Sequence, residues 1–469
     1  MTDTAAPALQ DDLAERILAT RFADLSADAV HWAKIGILDT IAVTLAGSIE
    51  PVTRIVMESA GIDGANGPCL LLGGDRRASL LDSLLVNGTA SHALDFDDVN
   101  RFIGGHPSVM TAPPAWALAE ARSLSGQALI AAYVTGFETA CRMGRAVHPH
   151  HYDKGWHPTA TVGIFGTVAA SAHAMGLDAA RTATALAIAA SQASGLKANF
   201  GTMTKPFHVG HTLRNGMLAT LLAENGLSAG DDVFDHAQGY FRVFNGDGAF
   251  DATRALADWG APWDVVATGP GLKQYPCCGS THPAIDCLLE LKAEHALTPD
   301  DVTDIQVLTN PLRLPHTNNP DPASGLEGKF SLHYVLARAL MDGSVGLEHF
   351  EDAAVADTAP RPIMARVSAG AHPEMGPTSD NQFGAEVTLT LTDGRSLSSR
   401  IDNRVCRGPA DPMSDDELWA KFTDCVGRVL PAERHRPLMD ALMDLENAPD
   451  ISALGELLTP PVGARTAAE

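Results

Sequence analysis

Five short stretches of this chain gather ionisable side chains with glycine and proline, and each could do proton or anion chemistry. The first, HALDFDDVNRFIGGHPS (92–108), crowds Asp95, Asp97 and Asp98 together and follows them with His106 across a Gly-Gly loop. Three carboxylates that close repel one another, so at least one needs a cationic or hydrogen-bonding partner. The plain alternative is a solvated acidic turn capping a helix. The second, HYDKGWHPTATVGIFG, sets His157 just ahead of a run of small apolar residues. An imidazole near a helix N-terminus has its basicity tuned by burial and by the dipole, although a hydrogen-bonded core histidine would occupy the same place. The third, SGLKANFGTMTKPFHVGHTLRNG (194–216), holds Lys205 among small and apolar neighbours. Lysine is seldom buried without a partner or a function. LKQYPCCGSTHPAID repeats that arrangement at Lys273, and SGLEGKFSLHYVLARALMDG opens a helix with Lys329 and His333. For these lysines the alternative is a stem packed on the core with its head in water.

Other chemistries lack their motifs. There is no G-x-G-x-x-G after a strand, no G-x-x-x-x-G-K-[ST], no H-E-x-x-H and no G-x-S-x-G elbow. GTMTK (201–205) lacks the second glycine of a P-loop. His148, His150, His151 and His157 cluster on what reads as an irregular loop without a spaced carboxylate ligand, which favours hydrogen-bonded histidines over a metal. His208 and His211 could share a helix face, but two ligands do not make a site. The seven cysteines form no C-x-x-C pair, which fits free thiols in a reducing compartment and speaks against zinc-ribbon or cluster spacing. No metal or other cofactor is expected. A formal net charge of −24 argues against nucleic acid and anionic membrane surfaces as partners. The opening MTDTAAPALQDD has no basic or apolar leader segment, and the longest nearly uncharged run, Thr159 to Leu177, is interrupted by glycines and His173 where a span needs about 20 strongly apolar residues. The expectation is a cytoplasmic protein with no membrane partner.

The elements that must position these residues are mainly helical. At 469 residues the chain is too long for one ordinary core, so two domains are expected. Apolar spacing predicts helices over Val30–Leu45, Gln127–Arg145, Thr161–Met175 ending at Gly176, a helix capped by Asp178, and Arg214–Glu224. Beyond Trp263–Gly271 the character changes. Asp304–Leu308 alternates as a strand, and Ala385–Leu391 with Ser396–Ile401 reads as a hairpin across Asp393-Gly394. Helices Pro283–His295 and Leu332–Met341 lie among them, and 412–458 returns to helix, leaving PPVGARTAAE as a loose tail. The expected architecture is a mainly α chain. A discontinuous all-helical domain (1–268 and 405–469) surrounds an inserted, smaller α+β domain (269–404).

Taken in order, ASHALDFDDVN…GGHPS, KGWHPTATVG, GTMTKPFHVGH, KQYPCCGSTH and GLEGKFSLHY resemble the MmgE/PrpD family from about residue 10 to 450. That family includes 2-methylcitrate dehydratase, cis-aconitate decarboxylase and iminodisuccinate epimerase. The resemblance implies a helical large domain, a smaller lid domain, a homodimer and a pocket between the domains that takes a small polycarboxylate. It also implies site residues: Asp95 and His106 on one loop, His157 in the second block, Lys205 in the TKP motif and Lys273 in the K-x-[YF]-P motif. Two positions depart from the decarboxylase pattern, since Val99 stands where decarboxylases carry threonine and TNPLRLPHTNNP has no counterpart of their later tyrosine.

The family reactions pass through or near a carbanion beside a carboxylate. Returning the proton on the other face epimerises, expelling a β-hydroxyl dehydrates, and losing CO₂ decarboxylates. Imidazoles, which titrate near pH ~6.5 when unperturbed, would move the proton. His157 and His106 take that role, Asp95 orients or balances one of them, and Lys205 and Lys273 hold substrate carboxylates and developing charge. The order of expectation is a 2-methylcitrate dehydratase-like hydro-lyase, then an imino- or amino-dicarboxylate epimerase, then a decarboxylase. A non-catalytic polycarboxylate-binding or scaffold protein, or a Schiff-base enzyme using either lysine, are the readings from other classes.

Overall fold

The computed structural model describes residues 8–62, 66–376 and 381–461; the first seven residues and most of the expected tail lie outside them. The chain is 56% helical and 9% strand, which makes it mainly α. It divides into two compact units, one of residues 1–272 with 408–469 and one of Lys273–Arg407.

In the larger unit, local capping extends the helices that apolar spacing predicts. Ser26 accepts from the Ala29 N–H and starts Ala27–Gly47, while Ser125 accepts from Ala128 and starts Gly126–Val147. Ala27–Gly47 is long and apolar enough to cross a membrane by length and composition alone. Its charges are answered within the unit: Lys34 meets Glu446 at 2.6 Å and Asp39 meets Lys421 at 2.5 Å. Two helices, Leu80–His92 and Thr204–Glu224, carry histidines and a lysine from the reactive blocks. A Cβ on Gly210 would fall 2.2 Å from the Leu85 carbonyl oxygen, and one on Gly88 2.9 Å from the Gly210 Cα. Glycine at both positions therefore lets these helices touch backbone to backbone, bringing His92 and His208 into one neighbourhood.

Several expectations are corrected. The second of those helices begins ten residues before Arg214, because Pro206 sits in its first turn, where a missing N–H costs no intrahelical bond. The helix expected over Thr161–Met175 is broken at Val162 into Pro158–Thr161 and Gly163–Met175. His150–Asp153 forms a helical turn, not an irregular loop. The first half is not wholly helical either: β1 (Cys69–Leu70) pairs antiparallel with β2 (Arg77–Ala78).

The smaller unit is built on β3 (Val302–Thr309), β4 (Val367–Ala371), β5 (Ala385–Leu391) and β6 (Ser396–Ile401), in the order β4-β3-β5-β6. β5 and β6 pair antiparallel around the Asp393-Gly394 turn, where Gly394 has φ +86°. β3 pairs antiparallel with β5 and parallel with β4. β4, whose VSAGA sequence carries little apolar alternation, is a strand that the sequence pattern does not predict. Val387, Leu389 and Leu391 face a core shared with the helices His282–His295 and Leu332–Asp342.

Candidate active site

The three crowded aspartates lie in the larger unit, and each receives a different kind of partner. Asp95 takes a left-handed backbone conformation at φ +54°, one that aspartate tolerates better than most residues. Its Oδ1 receives a hydrogen bond from Lys205 Nζ at 2.5 Å. Asp97 is fully buried, and its Oδ2 lies 2.8 Å from His92 Nδ1 and 2.9 Å from His106 Nδ1. The His92 contact is a well-directed hydrogen bond. The His106 contact is close enough for strong attraction but poorly aligned for a bond. Asp98, also fully buried, accepts from the Ser108 N–H at 3.1 Å and the Ser108 hydroxyl at 2.7 Å, and that hydroxyl meets the Tyr133 hydroxyl at 2.7 Å. The helix Asp415–Val426 steadies the same loop, because Lys421 donates to the Phe96 carbonyl at 3.0 Å while paired with Asp39.

These partners split the acidities. Burial alone pushes the Asp97 carboxyl up, but the attraction of His106 and His92 outweighs it and holds Asp97 well below the ordinary range. Asp98 goes the other way. Burial raises it, with Asp97 and Asp39 as like charges, and the Ser108 hydrogen bonds do not compensate. One carboxylate of the pair is therefore held charged and its neighbour is pushed toward the neutral acid.

Four imidazoles cluster against this loop. The rings of His92 and His106 meet edge to face at 4.5 Å, and His92 stacks on His157 at 5.7 Å. His157, 1% exposed, places its Nδ1 3.1 Å from His208 Nδ1 and packs edge to face with Phe200 at 4.9 Å. Its backbone N–H donates to the Gly195 carbonyl at 3.0 Å. The His157 Nε2 is buried and makes no hydrogen bond among the described residues; His92 Nε2 and Asp97 Oδ1 are in the same condition. Buried polar atoms are nearly always paired, so each of these atoms, like His106 Nδ1, retains the capacity for a polar partner. Burial, followed by the positive fields of His92, Lys205, His106 and His208, drives the His157 pKa well below the ordinary imidazole value. His92 falls to about 4, with burial again the main cause and Asp97 opposing it.

Four of the five residues singled out from the sequence, Asp95, His106, His157 and Lys205, thus lie in the larger unit around this loop. Asp95, expected to orient a histidine, is paired with Lys205, and the carboxylate on the histidines is Asp97. Lys273 belongs to the smaller unit, where it is 3% exposed and lowers the Cys277 thiol against the dominant upward push of burial. The sequence pattern does not single out His92, which opens the first reactive block, and offers His208 only as a possible metal ligand. The side chains of His92, Asp97 and His106 are also spaced to hold a metal ion, their donor atoms lying within 4.8 Å of one another. Their N···O distances of 2.8 and 2.9 Å suit a carboxylate bridging two imidazoles without an ion. His151, in the histidine cluster read from the sequence as hydrogen-bonded, bonds Asn245 at 2.8 Å and Thr161 at 2.7 Å.

Residues 11–253 match the MmgE/PrpD N-terminal domain and residues 275–445 the MmgE/PrpD C-terminal domain. The chain is 30% identical over 461 residues to the cis-aconitate decarboxylase of Homo sapiens, covering 93% of this chain and 94% of that protein. It is 30% identical to the enzyme of that name from Mus musculus over 92% of this chain and 89% of that protein. The corresponding protein of Aspergillus terreus is 26% identical, over 94% and 93% of the two chains.

Proposed function

The chain belongs to the MmgE/PrpD family, and from that premise we propose that it is a lyase acting at the carbon beside a carboxylate of a small tricarboxylic acid. The observation that carries this reading is His157. It is an imidazole kept neutral by burial and by the neighbouring Lys205 and imidazoles, with a buried Nε2 bonded to nothing among the described residues. Such a nitrogen can take or return a proton at a carbon acid near neutral pH. Lys205 is the cation for a substrate carboxylate or a developing enolate-like charge, and Asp95 holds it in place until substrate arrives. Asp97 fixes the rings of His92 and His106, which makes His106 the second proton-handling group. In the smaller unit Lys273 is the proposed carboxylate binder.

The outcome we put first is loss of CO₂ from an acid of the cis-aconitate class, the activity named for the human, mouse and Aspergillus relatives. This moves to first place the outcome ranked third from the sequence. A hydro-lyase outcome stands second and is favoured by one observation. Val99, where the decarboxylase pattern has threonine, offers no hydroxyl, and its backbone is engaged in a two-bond bridge with Gly271 at 2.8 and 3.0 Å. We also propose a homodimer, on the resemblance, and a cytoplasmic location, on the seven free thiols.

Proton NMR of chelator-treated protein in D₂O tests these readings on citrate, 2-methylcitrate, cis-aconitate, malate, tartrate and iminodisuccinate. Itaconate and CO₂ from cis-aconitate establish the first outcome. Alkene signals growing from a hydroxy acid replace it with the second, and deuterium uptake with stereochemical scrambling replaces both with an epimerase. No change in any acid removes the lyase reading, and activity lost only after chelation assigns a role to the His92, Asp97 and His106 group as metal ligands.

A further inference from the structure

His208 is a buried titratable group that the proposed chemistry leaves unused, yet its ring nitrogen is hydrogen-bonded to that of His157. The contact joins Nδ1 to Nδ1 at 3.1 Å, and two neutral imidazoles can meet that way only if one nitrogen carries the hydrogen and the other does not. The pairing is built into the fold. Gly195, at φ +139°, runs against both rings, so that a Cβ there would lie 3.5 Å from His157 Cβ and 3.5 Å from His208 Cγ. Phe200 closes on His157 from another side.

We infer that His157 and His208 share a single Nδ1 proton, and that the ring holding it sets whether His157 Nε2 accepts or donates a proton. When His157 holds the hydrogen on Nδ1, its Nε2 has a bare lone pair and acts as a base. When His208 holds it, His157 carries its hydrogen on Nε2 and acts as an acid. In the forward direction His157 Nε2 takes a proton from the carbon acid and becomes imidazolium. It then passes its Nδ1 proton to His208 Nδ1, which leaves His157 neutral with a hydrogen on Nε2 and places the positive charge on His208. Reversal returns the original pair. The direction has a physical reason, because His157 is 1% exposed and His208 is 9% exposed, so the charge moves toward the less enclosed ring. The charged and titratable groups facing His157 are His92, Lys205, His106 and His208; those facing His208 are His157, His211 and Lys205. His208 is thus a positioning and relay residue, a role that rests on the proton-transfer reading of His157.

The test has two arms. In ¹⁵N-histidine-labelled protein without substrate, long-range ¹⁵N–¹H spectra should show one strongly deshielded Nδ1–H proton coupled to one of these rings and absent from both H208L and H157Q. Its absence from the wild type overturns the shared proton, whatever the enzyme's substrate proves to be. With an acid that is turned over, H208L should lose about 10²-fold or more in kcat, within the range for proton-transfer groups, at nearly constant KM. H208N, whose side-chain amide can offer a donor or an acceptor near the same position but cannot pass a proton on, should restore the fold and KM without restoring kcat or the wild-type pH profile. Wild-type kcat in H208L, or full rescue by H208N, overturns the relay even if the deshielded proton is present. Absence of turnover on every acid counts against the proposed function and leaves the first arm to decide the shared proton.

Discussion

His151 and His157 lie on either side of Trp156, are equally buried at 1% exposure, and both have their basicity lowered chiefly by burial. His151 spends both ring nitrogens on neutral partners, the Asn245 side-chain oxygen and the Thr161 hydroxyl, and stacks with Trp156 and Phe244. His157 has a second histidine on one nitrogen, no hydrogen-bond partner among the described residues on the other, and the Lys205 ammonium and two further imidazoles facing it. Burial depresses an imidazole in either pocket; what differs is whether a nitrogen is left over for chemistry. A satisfied ring holds the fold together, whereas a ring with a nitrogen left unsatisfied holds a capacity at some cost in stability.

Substitutions should separate the two pockets. His157→Gln is expected to lower kcat/KM on the turned-over acid by about 10²- to 10⁴-fold, the usual weight of a proton-transfer group, with little change in melting temperature; a rate near wild type would return His157 to the same class as His151. Lys205→Ala should cost about tenfold to a hundredfold in kcat/KM, the worth of a charge-assisted hydrogen bond at about 1.5–3 kcal/mol. It also leaves Asp95 without this partner, and unchanged kinetics would remove Lys205 from the site. His151→Leu should do the reverse, lowering unfolding stability by about 1–3 kcal/mol through the stranded Asn245 and Thr161 groups while kcat of the folded enzyme holds. Denaturant titration reads the first quantity and initial rates the second, and a collapse of kcat at intact stability would erase the contrast.

The smallest effect is a pH dependence. His92 and His151 both fall from 6.5 to about 4 in the folded chain. As pH drops below 6.5 the unfolded chain takes up these protons before the folded one does, so unfolding is increasingly favoured. Their contribution to stability is complete above pH 6.5 and is lost as pH falls through about 4. Melting temperature should decline over that window, and His151→Leu should make the decline shallower; parallel curves for wild type and variant would contradict the assignment.

Much of the architecture was legible because it is encoded locally. Ser26, Ser125, Asp178 and Ser414 cap the helices that follow them, and the Asp393-Gly394 turn joins β5 to β6 in the register that alternation predicts. β4 escaped notice because a parallel strand is defined by its neighbour β3 and not by a pattern of its own. The early start of Thr204–Glu224 escaped for a similar reason: packing on Gly88 and Gly210 outweighs the weak helical preference of TKPFHVGH.

The order of residues by itself determined the mainly α class, the change of character before Lys273, and the presence of reactive groups in five blocks, since period, caps and motifs need only neighbours along the chain. Which carboxylate met which cation was decided by tertiary structure alone. Asp95 found Lys205 across 110 residues, and His157 found His208 across 51. Asp97, not Asp95, reaches the histidines, in a loop whose backbone turns left-handed at Asp95 and is anchored at the Phe96 carbonyl by Lys421. Burial then set their acidities, and burial is a property of everything packed around a residue, which no short stretch of sequence contains.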